Sequence, residues 1–496
     1  MIDILVNIFA WCGASTLAAS ARVTRCWEEA ALGQLWREVD WDQTTPLFRV
    51  LWNGFMPSDI TPPCRIHGNW ERFSYYSPWV RKLALGVTSP GDINSERHLN
   101  CDLLNDANIL AFAHSTALFP LLRSLTLDIH GTGALRTALL LLQPHIRQLT
   151  LTIHDASEEH IIMALKTILL QCPYLHDLAL HLGYSDTDLG YGITMMCAEV
   201  GLLITSLTHL RSLRLPPNML LNPILWSAAG AQPHLHSLQW ISGDHEVQIL
   251  DTPVLPPPLP PPKFGPEMFP HLRCLSLSAQ FPSTSFLFSR PVAAPLKQVE
   301  LTINGAIPAQ DLEPFLESLG TNLPAVSDVS ISCHVGPRRP CMIDIRPIFV
   351  HRMQRLHIQL DFSLNIDNRD LSELAQAVPN IVYLSLAPDP ICSSAAVPPK
   401  ITLDALKIFA RFCPRLKPWR SSCNPRVVAQ LSPRCHPILR HSTAARRHLG
   451  VQKEWEMAVS CMAVCRPLYK FIIQLQQEIK TPIPAVGSHH LVKDSQ

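Results

Sequence analysis

A chain of 496 residues with 47% hydrophobic and only 16% charged residues, against about 25% charged in an average globular protein, is built to pack rather than to stay solvated. Its 41 basic and 40 acidic side chains leave a formal net charge of +1, too little to hold a phosphate backbone, so nucleic acid is not an expected partner. The 15 cysteines are scattered and lack a Cys-x-x-Cys pair, no Asn-x-Ser/Thr acceptor occurs, and no run of 18 apolar residues is present; these features predict a cytoplasmic or nuclear protein with reduced thiols and no membrane span.

The chain opens on ILVNIFAWCGASTLAASARVTRCWEEAALGQLWREVDW, residues 4–41. Apolar residues recur at Ile4, Leu5, Ile8 and Phe9 and again at Val23, Trp27, Ala30 and Ala31, which is helical spacing, with Ser15 or Thr16 placed to cap the second segment. Two or three short helices are expected. About 40 residues rarely supply a self-sufficient core, so these large side chains need a second surface, either a partner or the neighbouring domain. Asp3 stands where a secretory signal carries positive charge, which argues against reading the segment as one.

The positions of Ile4-Leu5, Ile8-Phe9, Leu17, the VTRCW run ending at Trp27, and Leu35-Trp36 resemble those of an F-box, although Met1-Ile2-Asp3 stands in place of the Leu-Pro pair that commonly opens one. The resemblance implies docking on a Skp-family adaptor and, through it, a cullin. It implies Ile4, Leu5, Ile8, Phe9, Leu17 and Val23 as partner-binding residues, and Trp27, Leu35 and Trp36 as the core of the module.

Beyond residue 77 a pattern Pro-x-φ-x-x-φ-x-φ, where φ is apolar, returns twelve times. It starts at Pro78, Pro120, Pro144, Pro173, Thr208, Pro233, Pro270, Ala294, Pro324, His351, Pro379 and, degenerate, Pro414. The mean spacing is about 30 residues, near the upper end of leucine-rich-repeat periods. In each unit the Leu-x-Leu core predicts a strand with one apolar face. Residues 157–171, 311–320, 369–378 and 403–412 have apolar positions three and four apart and predict helices, each ended by the following proline. One strand and one helix cannot bury both apolar faces alone, so neighbours must stack, which predicts an α/β solenoid with a concave parallel sheet and convex helices. The pattern resembles the irregular leucine-rich repeats of long fungal F-box proteins.

The expected organisation is therefore a helical module over residues 1–42, a linker and cap over 43–77, the solenoid over 78–420, and a terminal cap helix and tail over 421–496. The run TPVLPPPLPPPKFGP at 252–266 is expected to leave the array as an extended polyproline loop. A helix is expected over 453–480, closing the last repeat.

Outward positions of the predicted sheet are Thr126, Thr150, Ala179, Arg214, Gln239, Ser276, Glu300, Ser330, His357 and Ser385; of these, Thr126, Thr150, Arg214, Gln239, Glu300 and His357 are the candidates for contact with a protein target of unknown identity. In eight successive repeats a cation or histidine stands immediately before the strand: Arg81, Arg123, Arg147, His176, Arg211, His236, Arg273 and Lys297. This row reads as a solvated edge, with an acidic or phosphorylated partner as the alternative. HDASEEH, residues 154–160, is read as a strand-to-helix turn capped by Asp155 and Ser157. Cys413, Cys423, Cys435, His436, Cys461 and Cys465 lack the pair spacing of a structural zinc site, and no phosphate loop, dinucleotide fingerprint, zinc-protease motif or nucleophile elbow occurs. No metal, no cofactor and no catalytic site are expected. The reading is a substrate-recognition adaptor of a ubiquitin ligase; the alternative is a repeat scaffold unconnected with ubiquitin, whose N-terminal helices only cap the array.

Overall fold

The computed structural model describes residues 2–51, 69–88, 98–182, 192–240, 264–265, 267–335, 342–350, 352–360, 366–386 and 404–416. All belong to one compact unit, Met1–Trp419. The expected helix over 453–480, nearly all of the 252–266 loop, the degenerate repeat beyond Leu416, and Cys423, Cys435, His436, Cys461 and Cys465 lie outside the described residues.

Among the described residues thirteen strands form one parallel sheet: β1 (Glu38–Val39), β2 (Lys82–Thr88), β3 (His98–Asn100), β4 (Ser124–His130), β5 (Gln148–His154), β6 (Asp177–Leu182), β7 (Ser212–Leu215), β8 (Ser237–Trp240), β9 (Cys274–Gln280), β10 (Gln298–Ile307), β11 (Asp328–Val335), β12 (Arg355–Leu360) and β13 (Tyr383–Leu386). Strands follow one another across the sheet in chain order, except that β3 sits beside β2 off the main path. Eleven of the twelve repeat starts open a strand, β2 and then β4 to β13. The strand-to-strand crossovers are helical in the way the apolar spacing requires: Glu158–Gln171, Ala309–Asn322, Asn368–Ala377 and Asp404–Phe412 occupy the four expected places. Asp367 caps the third through a reciprocal pair of bonds with Asp370.

The alternation of Leu-x-Leu sorts side chains between faces. In β4 the buried Leu125, Leu127 and Ile129 join one continuous core with the helices, while Ser124, Thr126, Asp128 and His130 stay half-exposed. Each such buried side chain contributes roughly 1.5–3 kcal/mol relative to exposure.

The N-terminal boundary differs from expectation. Helices α1 (Ile2–Phe9), α2 (Ala14–Ser20) and α3 (Arg25–Leu35) form the module, but Glu38–Val39 already pairs with Lys82–Leu83 of β2. The helix Trp41–Leu51 spans the expected border at residue 42 and buries Leu47, Phe48 and Leu51 in the main core. The module therefore ends at Leu35. Its third helix is capped by Thr24, whose side chain accepts from the Trp27 backbone N–H, and not by Ser15 or Thr16; α2 starts after Gly13 with no side-chain cap.

Candidate functional site

The helical module has a core of its own. Phe9, Leu17, Ala30 and Ala31 are buried together, with Leu5, Val6, Cys12, Ala21 and Leu35 packed round them, apart from the main core. In α1 and the turn that follows it, residues four and three apart divide into two stripes. Leu5, Phe9 and Cys12 face inward; Ile4, Ile8 and Trp11 face solvent at 65%, 54% and 93% exposure. Val23 (59%) and Trp27 (38%), spaced i and i+4, add exposed apolar surface.

Four of the residue placements expected from the resemblance are corrected. Phe9 and Leu17, expected to anchor a partner, are buried inside the module because its few residues use their largest inward side chains on one another. Trp27, expected in the core, is partly exposed and meets the Phe9 ring edge-on at a centroid distance of 5.5 Å. Trp36 is drawn out of the module by the turn into β1 and packs on Tyr76 against the main core. Leu35 remains in the module, and Ile4, Ile8 and Val23 are open to solvent with Leu5 half-buried. Trp11 was not singled out from the sequence; its place seven residues after Ile4 was the available signal.

The expected outward ladder is realised as a single rung of the sheet. Thr126, Thr150, Ala179 and Arg214 are register partners in turn, followed by Gln239, Ser276, Glu300, Ser330, His357 and Ser385. Two members are inaccessible. Ala179 is smaller than its neighbours and buried, and Ser276 is covered while donating its hydroxyl to Glu300 Oε2 at 3.0 Å. Thr126, Thr150, Gln239 and His357 are half-exposed and Arg214 and Glu300 exposed.

The cation row is also continuous, because each residue's carbonyl accepts from the backbone N–H groups of the next pair: Arg37 O from Arg81 and Lys82, Arg81 O from Arg123 and Ser124, Arg123 O from Arg147 and Gln148, Arg147 O from His176 and Asp177. Arg37, immediately before β1, extends the row by one place. Between this edge and α3 lies a cavity of about 520 Å³, lined on one side by Glu29, Gly33 and Gln34 and on the other by Arg81, Arg123 and Arg147. Arg37, Lys82, His176 and Asp177 also border it. Lys82 pairs with Glu38 at 2.6 Å, whereas none of Arg37, Arg81, Arg123 and Arg147 has a carboxylate partner among the described residues. Arg81 donates instead to the carbonyls of Pro78 and Leu121. Burial, followed by the charges of Arg123 and Arg37, holds its guanidinium below its ordinary pKa. Such a cleft can bind an anionic group by charge-assisted hydrogen bonds.

At the opposite ends of the same strands three imidazoles gather round one carboxylate. His98 Nε2 is 3.5 Å from Asp128 Oδ2, and His130 and His154 Nε2 are 3.7 and 3.1 Å from Oδ1. Burial would raise the Asp128 pKa, but the His98 hydrogen bond and the charges of His154, His130 and His98 outweigh it and hold the carboxyl below its ordinary range. Burial pushes His130 down, against the opposing pull of Asp128. His98, Asp128 and His130 are residues able to share a metal ion. The absence of paired cysteines, on which no metal was expected, does not bear on this histidine and carboxylate set. His154 is not the start of a doubly capped turn: Asp155 adopts a left-handed φ of 54°, and the Ser157 hydroxyl meets His160 Nδ1 at 2.6 Å in place of a backbone cap.

No membrane-spanning helix is present among the described residues. The chain matches no protein-family profile and no curated protein.

Proposed function

We propose that the chain is a substrate-recognition adaptor of a cullin-RING ubiquitin ligase, an F-box protein with leucine-rich repeats. Helices α1 to α3 dock on a Skp-family adaptor, and the solenoid presents a protein target. What carries this reading over a capping role is that the array is already closed without the module. β1 and β3 pair with β2, and Leu47, Phe48 and Leu51 of the following helix cover the core at that end. The module thus keeps a separate core and leaves Ile4, Ile8 and Trp11 mostly exposed among the described residues. A stripe of this kind is the sort of surface from which an interface of standard size draws its few large anchors.

For the target, the four guanidinium groups with no carboxylate partner among the described residues favour an acidic or phosphorylated segment, with the outward rung from Thr126 to His357 as its further contact surface. In this reading ubiquitin transfer belongs to other subunits and the chain itself performs no chemistry.

The test is co-precipitation of a Skp-family adaptor by the full chain and by a chain lacking residues 1–35, a truncation that keeps β1 and its pairing. Retention by the full chain alone is expected. Equal recovery with both chains, or with neither, overturns the adaptor role and leaves the repeat scaffold.

A further inference from the structure

The cluster around Asp128 depends on a missing side chain. His98 of β3, Gly86 of β2 and Asp128 of β4 are register partners on one rung, with β2 in the middle. Strands lie about 4.8 Å apart, so His98 and Asp128 are separated by about 10 Å at the backbone and would ordinarily be screened by the residue between them. Gly86 removes the screen. A Cβ there would overlap the His98 ring, which lies across the position that a side chain would fill. Two residues further along, Thr88, His130 and His154 are partners, and the two-residue period puts His130 on the same face as Asp128. His130 and His154 stack with ring centroids 4.4 Å apart, and His98 meets His130 edge-on at 5.0 Å. The His98 Nδ1 is buried with no hydrogen-bond partner, which leaves Nε2 as the atom through which that ring acts on the cluster.

We propose that His98, Asp128 and His130 bind a divalent zinc ion, with His154 holding the Asp128 carboxylate in place as a second-layer partner. Zinc bonds of about 2.0–2.2 Å place the donor atoms of a tetrahedral site roughly 3.3 Å apart. The separations of 3.5 Å (His98 Nε2 to Oδ2) and 3.7 Å (His130 Nε2 to Oδ1) run to the two different oxygens of Asp128, so the ion would draw one oxygen toward both rings; one ligand atom from each residue already lies within 4.8 Å of the other two. Two imidazoles with one carboxylate suit zinc over calcium or magnesium, which take oxygen ligands. Three protein donors leave a fourth position for water or for a group on a bound target. Because the donors come from β3 and β4, the ion clamps both flanks of β2 and stabilises the first repeats. The inference rests on the strand register and does not depend on the adaptor reading.

The test is titration of the chelator-stripped full chain with zinc chloride by calorimetry, with magnesium chloride as control, beside thermal melts with and without zinc. The wild type should take up one more zinc than the Asp128→Ala/His130→Gln double variant, and show a zinc-dependent rise in melting temperature that the variant lacks. His154→Gln should keep the stoichiometry but weaken binding about 10- to 100-fold, the usual effect of losing a second-layer partner. Gly86→Ala, which keeps every donor but displaces the His98 ring, should weaken binding at least tenfold and decides the matter should the double variant fail to fold. Identical zinc stoichiometry and affinity in wild type and Gly86→Ala, or in wild type and a folded double variant, overturns the site and leaves a hydrogen-bonded cluster.

Discussion

Trp11→Ala and Phe9→Ala, two residues apart, should separate binding from stability. Trp11 is 93% exposed, so the change removes few contacts within the chain and should alter its stability by no more than about 0.5 kcal/mol. An indole of about 150–250 Å² exposes nearly all of that area here, worth about 3.5–6 kcal/mol at ~25 cal/mol/Å² if a partner covers it. Ordering the side chain offsets about 1 kcal/mol of this, leaving about 2.5–5 kcal/mol, or about two to three and a half orders of magnitude in Kd for a Skp-family adaptor. Phe9 is 3% exposed in the small core of the module, and its removal should destabilise the module by about 3–5 kcal/mol. The assay is calorimetric titration with the adaptor beside thermal melts of the same variants. Trp11→Ala binding as tightly as wild type refutes the assignment of the outward stripe as the docking face. Trp11→Ala melting as far below wild type as Phe9→Ala refutes the division into stripes.

Three further outcomes follow from particular residues. Gly320→Ala in the helix Ala309–Asn322 should gain about 1 kcal/mol on helix propensity alone, but a Cβ there would lie 2.6 Å from the Pro347 carbonyl oxygen. A backbone atom cannot swing aside, so we expect a net loss of about 1–3 kcal/mol, read as a lower melting temperature; a rise would refute the close approach. Burial raises the thiols of Cys172, Cys197 and Cys413 to about 11, so alkylation of the folded chain near pH 8 should spare them while marking exposed Cys26, as read by peptide mapping. His176 is pushed down first by burial and then by Arg211 and Arg147, against the pull of Asp177. The folded state thus favours the neutral ring, and stability present above the ordinary histidine value of about 6.5 is lost as pH falls through it. Melts from pH 7.5 to 5.0 should show a shallower acid-side decline for His176→Gln, and parallel curves would contradict that.

The repeats were legible because each carries its signal within a few consecutive residues. Pro-x-Leu-x-x-Leu-x-Leu specifies a turn, a buried side chain and an alternating strand in one local run, and eleven such runs became neighbours in order. The parallel register then followed, which is why the outward rung from Thr126 to Ser385 was readable to the residue. Strand β1, two residues long, and β3, three residues long and off the main path, carry no such signal and were missed. The module was half legible for a different reason. Helical spacing identifies an apolar stripe, but with apolar residues at 4, 5, 8 and 9 two adjacent stripes compete, and only packing against α3 decides that Leu5 and Phe9 turn inward while Ile4 and Ile8 remain outside.

At the two ends of the first strands the row Arg81, Arg123 and Arg147 is legible as one repeat position, but Arg37, the facing helix α3 and the histidine cluster are not, since these residues meet across the sheet and not along the chain. Arg37, Arg81, Arg123 and Arg147 are spread over more than a hundred positions, and His98 lies thirty before Asp128, yet each set shares one edge of β1 to β5. A repeat converts a separation of one period into a spacing of about 4.8 Å, so a residue that returns at the same phase becomes a column of like groups. For arginine that column concentrates charge against α3, where Glu29 faces it across the cavity. For histidine it ends strands β4 and β5 with stacked rings, while Gly86 opens the rung below and lets His98 and Asp128 cross β2 to complete the cluster. In an array of this kind, then, sequence phase is as informative as sequence proximity: the arginine and histidine columns both arise by summing one repeat position over successive units, and the glycine gap marks where two columns can touch.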